Sequence, residues 1–377
     1  MSTLRAAGGA AAADPGPPAH PATDPADPGG RLVVLDVLRG VALCGIVWLN
    51  VPGLTGFTRG AQGFRDLAPW LEPLARGRFI GLFALLFGVS AALVLRGAAR
   101  RGARPRAVLA RRMAFLLGLG LLHGLLYPAE VLRSYALYGL VLLLPLSFVR
   151  PPWVPLALGA AALAAVELAG GEPGGASLAM VLLGYGAARL GLPERLERPA
   201  RGAVLVAALL LPAYAGLLVA QRVVQSPIVD GVQAAYTWAD RAAGVVGAGT
   251  TGLLVALALR TRLRRALRAV FEPLGRTALS SYVGATLLAV LARAVSGSAT
   301  TATTGPDLLV AAGIIALQVP ASRWWLARFR HGPLEWAWRC ATWWRVVPLR
   351  RGAAPRRAGG ELPGRRDDAP SRDRVGT

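Results

Sequence analysis

Three polar side chains stand in the first long apolar run of this 377-residue chain: Asp36, Arg39 and Asn50. Asp36 and Arg39 are three positions apart, so on a helix they share a face and can neutralise each other. Asn50 follows Arg39 by eleven positions, about three turns, and returns to that face. Trp48 falls on the opposite side, where it can meet lipid. A charge at a bilayer centre costs about 2.5–3.5 kcal/mol even on lenient insertion scales, so such residues face protein or trapped water and mark a functional site by default. A second set follows in His123, Glu130 and Arg133. An imidazole beside a carboxylate suits proton transfer, the acid fixing the tautomer. The spacing predicts His123 as a base, Glu130 as its orienter, and Asn50 and Arg133 as groups that position the reacting partner. Arg39, with Asp36 beside it, is expected to contact an anionic group entering from the cytoplasm, such as the phosphates of coenzyme A. Glu72, Arg76 and Arg78 precede the second apolar run and can line a polar entrance, which adds Arg78 to the substrate-binding candidates. The plainer reading of the same residues is structural: His123 bonds a neighbouring helix, Glu130 and Arg133 cap the helix they open, and Asp36–Arg39 fixes packing.

The elements that must carry these groups are membrane-length helices. The chain is 54% hydrophobic with a mean hydropathy of +0.47, above the range of soluble domains. Stretches of roughly 17–25 apolar residues are needed to span a bilayer, and about ten such stretches are predicted. They cover 32–52, 79–96, 111–128, 131–149, 153–170, 175–192, 202–221, 241–259, 277–295 and 306–326. The fold class expected is all-α, a polytopic membrane helix bundle. Arginines crowd alternate connections: Arg96 to Arg112, Arg189 to Arg201, and Arg260 to Arg268. The connections between them are short or neutral, so the excess of positive charge puts both termini in the cytoplasm. The loop from Val51 to Arg78, with four arginines against two acids, is the exception. Four regions follow: a disordered tail over 1–30, the bundle over 31–326, a Trp/Arg-rich interfacial helix over 327–345, and a disordered basic tail over 346–377. Six of the ten tryptophans fall between Arg323 and Arg345, which suggests anchoring at anionic inner-leaflet headgroups. Glu335 and Arg339, four apart, can brace that helix. The location implied is a bacterial plasma membrane, with lipids as partners.

Several chemistries are excluded. All 42 basic residues are arginine, and the net charge of +22 invites nucleic acid. The arginines nevertheless sit in short blocks between apolar runs, so no nucleic-acid partner is expected. Two cysteines, Cys44 and Cys340, and three histidines are scattered without zinc-site spacing. There is no Walker loop, serine-nucleophile elbow or dinucleotide fingerprint in the sequence.

Six segments in order resemble the YeiB-like family of bacterial multi-pass membrane proteins, whose shared region is a domain of unknown function. They are the stretches Arg31 to Asn50, Arg78 to Gly88, Leu119 to Gly124, Glu130 to Gly139, Gly275 to Tyr282 and Gly332 to Arg339. The first span is also similar, more distantly, to that of the transmembrane acyltransferases, which include enzymes that O-acetylate envelope sugars and the lysosomal heparan-glucosaminide acetyltransferase. Those enzymes carry Asp-x-x-Arg and then a His eleven positions after the Arg. Asp36 and Arg39 match, while Asn50 stands where the His would be. An amide has no proton affinity near neutral pH, so Asn50 can orient a substrate or donate to an oxyanion but cannot act as a base. This likeness implies acyl transfer from a cytosolic donor, acyl-coenzyme A, to an envelope sugar, lipid or small metabolite. A carrier or channel using Asp36, Arg39, His123 and Glu130 as its polar path, and a non-catalytic scaffold, remain as other readings.

Overall fold

The computed structural model describes residues 31–56, 77–169, 173–198, 202–224, 228–229, 232–233, 237–297 and 305–350. The tail expected over 1–30, residues 351–377 of the tail expected over 346–377, and Glu72 and Arg76 lie outside these residues, whereas residues 346–350 are ordered. Thirteen helices are described: α1 Val33–Thr55, α2 Arg78–Arg100, α3 Pro105–Gly124, α4 Leu132–Leu146, α5 Trp153–Leu168, α6 Pro173–Arg189 and α7 Leu192–Glu197. They continue with α8 Gly202–Val223, α9 Trp238–Ala258, α10 Arg264–Arg276, α11 Ala278–Ser296, α12 Gly305–Arg328 and α13 Pro333–Trp343. Between α8 and α9, Ile228–Val229 pairs antiparallel with Val232–Gln233.

Each expected span finds a helix, but seven of them are long and apolar enough to cross a membrane: α1, α2, α3, α8, α9, α11 and α12. The 16 residues of α5 rise about 24 Å, short of a hydrocarbon core of about 30 Å. The 17 residues of α6 rise about 26 Å, likewise short of it. In α4 the turn Gly139–Leu143 widens to a π-helix ahead of Pro145, which has no N–H to close an ordinary turn. The third span begins earlier than its apolar run suggests. Pro105 starts α3, since a proline loses nothing at a first helical turn, and Arg106, Arg111 and Arg112 ride on the helix. Pro128 keeps the segment after Gly124 from continuing as a helix, so Tyr127 belongs to the connection.

The helix α1 is the centre of the bundle. It packs against α2, α10, α11 and α12, and most of its length is buried. Even Trp48 packs against the cluster formed by Val47, Val51, Ala285, Ala289, Ala311 and Ile314. The helix α10 is amphipathic and was absent from the list of spans because it is too charged to be one. It lies along the start of α1 at backbone distance. A Cβ on Gly40 would sit 2.0 Å from the Phe271 carbonyl oxygen, and one on Gly275 would sit 1.7 Å from that of Asp36. A reciprocal pair, Gly88 against Val181 and Gly184 against Leu85, brings α2 onto α6.

The arginine-bearing connections meet at one end of the bundle. Arg96 pairs with Glu194 at 2.7 Å, Arg106 donates to the Ser147 hydroxyl at 3.2 Å, and Arg189 donates to the Val149 carbonyl at 2.8 Å. The helix α13 docks there through its tryptophans. Arg101 stacks on Trp343, Arg111 on Trp344 and Arg112 on Trp338, with guanidinium-to-ring distances of 4.7, 5.1 and 3.4 Å. Residues 346–350 fold back onto this helix: Trp336 Nε1 donates to the Val347 carbonyl at 2.7 Å and Arg330 N to that of Leu349 at 2.9 Å. At the opposite end Thr55 bonds Asp307, Gln221 donates to Asp240 at 3.0 Å, and Arg241 makes a two-point pair with Glu167 at 2.9 Å.

A methyl group at Gly275 would gain up to about 1 kcal/mol in helix propensity but would meet backbone, and overpacking costs about 1–3 kcal/mol. Gly275→Ala is therefore expected to lower the thermal midpoint of detergent-solubilised protein by several degrees. Gly249→Ala, whose Cβ meets nothing within 4 Å, should leave it unchanged or slightly raised.

Candidate functional site

The groups at the start of α1 open into a cavity of about 870 Å³ at the arginine-rich end. Among the described residues, its wall carries nine arginines against three carboxylates, Asp36, Glu194 and Glu335. The closeness of α10 to α1 and the docking of α13 on α3 frame this space. Asp36 is 4% exposed and accepts from Arg31 Nε at 2.5 Å and from Arg39 Nη1 at 3.0 Å. The second arm of Arg39 donates to Ser90 Oγ on α2 at 2.8 Å. One carboxylate thus serves two guanidiniums, and Arg39 is pinned with its charge only partly compensated. Glu335 also reaches beyond its own helix. It accepts from the Leu279 and Ser280 N–H groups at 2.6 and 3.1 Å, closing the open start of α11. Burial pushes its carboxyl above the ordinary range, against the pull of those hydrogen bonds.

Further in, the cavity wall turns apolar and aromatic, with Phe83, Phe87, Leu116 and Tyr135, and its lining includes Tyr282. The rings of Phe83 and Phe87 lie 5.9 and 5.2 Å from that of Tyr135. Tyr282 is 2% exposed, and its hydroxyl has no well-formed hydrogen bond among the described residues. Its ring lies 5.2 Å from that of His123, and Asn50 is close enough to act on its phenol.

The histidine cluster stands behind Tyr282. His123, near the end of α3, is 3% exposed and shares a hydrogen bond of 2.9 Å between Nε2 and Thr286 Oγ1 on α11. Its Nδ1 points at Glu130 Oε2 from 4.0 Å, too far for a hydrogen bond, and has no closer partner among the described residues. Glu130 instead caps α4, accepting from the Leu132 N–H at 2.6 Å and the Arg133 N–H at 3.0 Å. The side chain of Arg133 is half exposed and its Nε lies 4.0 Å from Glu130.

The structure therefore divides the expected site. Asp36 and Arg39 line the cavity; His123 and Glu130 stand together on the far side of Tyr282, and Asn50 interacts with the Tyr282 phenol. Arg78 stands apart, its guanidinium 5.1 Å from the Phe79 ring and 5.4 Å from that of Tyr214 on α8. The residues that join the two halves, Tyr282 and Thr286, received no role from the sequence. They carried a signal: Thr277 with Ser281, and Tyr282 with Thr286, form i,i+4 polar pairs in an apolar span and should face the interior. Arg112 stands both at the end of the arginine block Arg96 to Arg112 and at the start of the span expected over 111–128, and on α3 it lies in the cavity wall. Among the described residues, no group of three His, Cys, Asp or Glu side chains could hold a metal ion.

Residues 187–345 match a family model described as a protein of unknown function, DUF418. The chain is 30% identical over 338 residues to the uncharacterized 39.9 kDa protein in the amylase 3′ region of Bacillus acidopullulyticus, covering 85% of this chain and 96% of that one. The uncharacterized protein YeiB of Escherichia coli K12 is 35% identical over 122 residues, 29% of this chain and 30% of its own length. The uncharacterized protein YxaH of Bacillus subtilis 168 is 32% identical over 130 residues, 30% of this chain and 32% of its own. No solved structure matches.

Removing a helix-capping side chain costs about 0.5–2 kcal/mol. Glu130→Ala should accordingly reduce the thermal midpoint, and Glu130→Gln, which keeps an acceptor for the same N–H groups, should reduce it less. Equal losses would assign the carboxylate's importance to its charge rather than to the cap.

Proposed function

This chain belongs to the YeiB-like family, and we propose that it is a membrane-embedded transferase moving an acyl group from acyl-coenzyme A to an envelope sugar, lipid or small metabolite. The observation that carries this reading is the path of the cavity: arginine-lined at its mouth, apolar further in, and walled by Tyr282 with His123 immediately behind it. The positive-inside rule puts the arginine-rich end and both termini in the cytoplasm of a bacterial cell, so the cavity opens to soluble donors. Phosphates of the donor meet the arginines, Arg39 among them, and the acyl thioester extends into the apolar part.

At the inner end the chemistry is that of acyl exchange. The acceptor hydroxyl or amine attacks the thioester carbonyl, a new C–O or C–N bond forms, the C–S bond breaks and the thiol leaves. The Tyr282 O–H, buried without a well-formed hydrogen bond among the described residues, donates to the oxygen on which negative charge develops. His123 takes the acceptor's proton and returns it to the departing sulfur. Asn50 orients the acceptor, since an amide cannot serve as base. Thr286 fixes the imidazole through Nε2. Glu130, held as a helix cap at 4.0 Å, stabilises the imidazolium through space once it forms.

The test is an untargeted comparison of envelope lipids and glycans in a deletion strain, and in the same strain carrying the wild type or His123→Ala. An acyl modification that is missing from the deletion, restored by the wild type and not by the variant is the expected result. Full restoration by a normally expressed His123→Ala removes the histidine from the mechanism. An unchanged envelope with altered solute uptake would replace the transferase with a carrier.

A further inference from the structure

Most cavity arginines are engaged. Arg31 and Arg39 share Asp36, Arg96 pairs with Glu194 and donates to the Ala188 carbonyl at 2.8 Å, and Arg101 stacks on Trp343. Arg112 differs. Its guanidinium lies flat on the Trp338 ring at 3.4 Å and makes no hydrogen bond or ion pair among the described residues. The contact is doubly fixed, because Trp338 Nε1 also donates to the Arg112 carbonyl at 2.7 Å. Stacking satisfies the face of a guanidinium and leaves its edge, with its N–H donors, free for an acceptor. The charges acting on Arg112 include Arg339 and Arg39, both repulsive, and one acid, Glu335. That acid is already turned onto the Leu279 and Ser280 N–H groups.

A half-buried cation held rigidly among like charges, with its donors presented to a cavity, is a site prepared for an anion. We infer that Arg112, stacked on Trp338 in a cavity wall that also carries Arg39 and Arg339, forms a phosphate-binding subsite. A carboxylate offers two oxygens and one charge, whereas a phosphate offers three oxygens and up to two charges that several guanidiniums can share. The inference rests on reading the cavity as the seat of an anionic donor, and it names the group that anchors such a donor. The phosphate can come from a soluble nucleotide-type ligand or from a lipid headgroup entering at the membrane surface.

The experiment measures binding of inorganic diphosphate to the purified full chain in a neutral detergent, by equilibrium dialysis. Saturable binding is expected, weakened at least tenfold in Arg112→Met and unchanged in Arg265→Met, an exposed arginine of α10 outside the cavity. Arg112→Lys keeps the charge but loses the fork, and should weaken binding at least threefold; it decides the matter if the Met variant does not fold. Wild-type affinity in either Arg112 variant overturns the inference, as does a lack of saturable binding in the wild type. Repeating the measurement in nanodiscs separates the sources. Equal binding in phosphatidylcholine and phosphatidylglycerol supports a soluble phosphate, and competition by phosphatidylglycerol supports a headgroup at the same subsite. Arg112-dependent binding in a protein that transfers no acyl group keeps the subsite and removes the transferase. Acyl transfer with diphosphate binding indifferent to Arg112 does the reverse.

Discussion

A guanidinium inside a membrane protein must find a carboxylate, an aromatic face or trapped water, and that constraint shapes the arginine-rich end of this bundle. Asp36 is the pivot. It is buried in the central helix, clasps Arg31 and Arg39 at once, and leaves Arg39 an arm to hold Ser90 on α2. Removing one partner of a buried ion pair typically costs about 3–5 kcal/mol, because the other charge stays behind unpaired. Here the loss of Asp36 would leave two guanidiniums facing each other. The cavity exists because its charges cannot collapse onto one another: with nine arginines and three carboxylates among the described residues of its wall, closing it would bring like charges together.

Backbone contact supplies the other half of the arrangement. Gly40, directly after Arg39, admits the Phe271 carbonyl, and Gly275 admits that of Asp36. These two glycines let α10 lie on α1 at the level of the ion pair, and α10 leads directly into α11. The start of α11 is closed by Glu335 from α13, and one turn into α11 stands Tyr282. A run of local contacts thus connects the Asp36 clasp to Tyr282, which stands between the cavity and His123.

Much of this was legible in the sequence, and the exceptions have physical causes. Each apolar run falls on a helix, since burial in lipid or protein needs apolar surface and little else, but seven of these helices are long and apolar enough to cross a membrane. Asp36 with Arg39 was identified as a pair by i,i+3 spacing alone. The helix α10 was missed because a search for spans ignores charged amphipathic helices, although Leu267, Phe271 and Leu274 recur at helical spacing. Arg112 was read as part of an arginine block because arginine-rich connections need no ligand to explain them. The tryptophans of α13 were read as an anchor at headgroups, while Trp338 and Trp343 turn inward onto arginines that no local pattern could have supplied. His123 and Glu130 lie side by side as the spacing suggested, but the capping bonds of Glu130 hold it 4.0 Å from the imidazole.

Under the proposed function, one arginine-lined cavity open to the cytosol leads to Tyr282. Ser90, on α2 in the cavity wall, reports on it directly. In a chain whose Cys44 and Cys340 are replaced by alanine, Ser90→Cys would be exposed to a charged, membrane-impermeant thiol reagent applied to one membrane face at a time. The account predicts labelling in inverted vesicles and none in intact cells. Labelling from the outer face, or from neither, would contradict it.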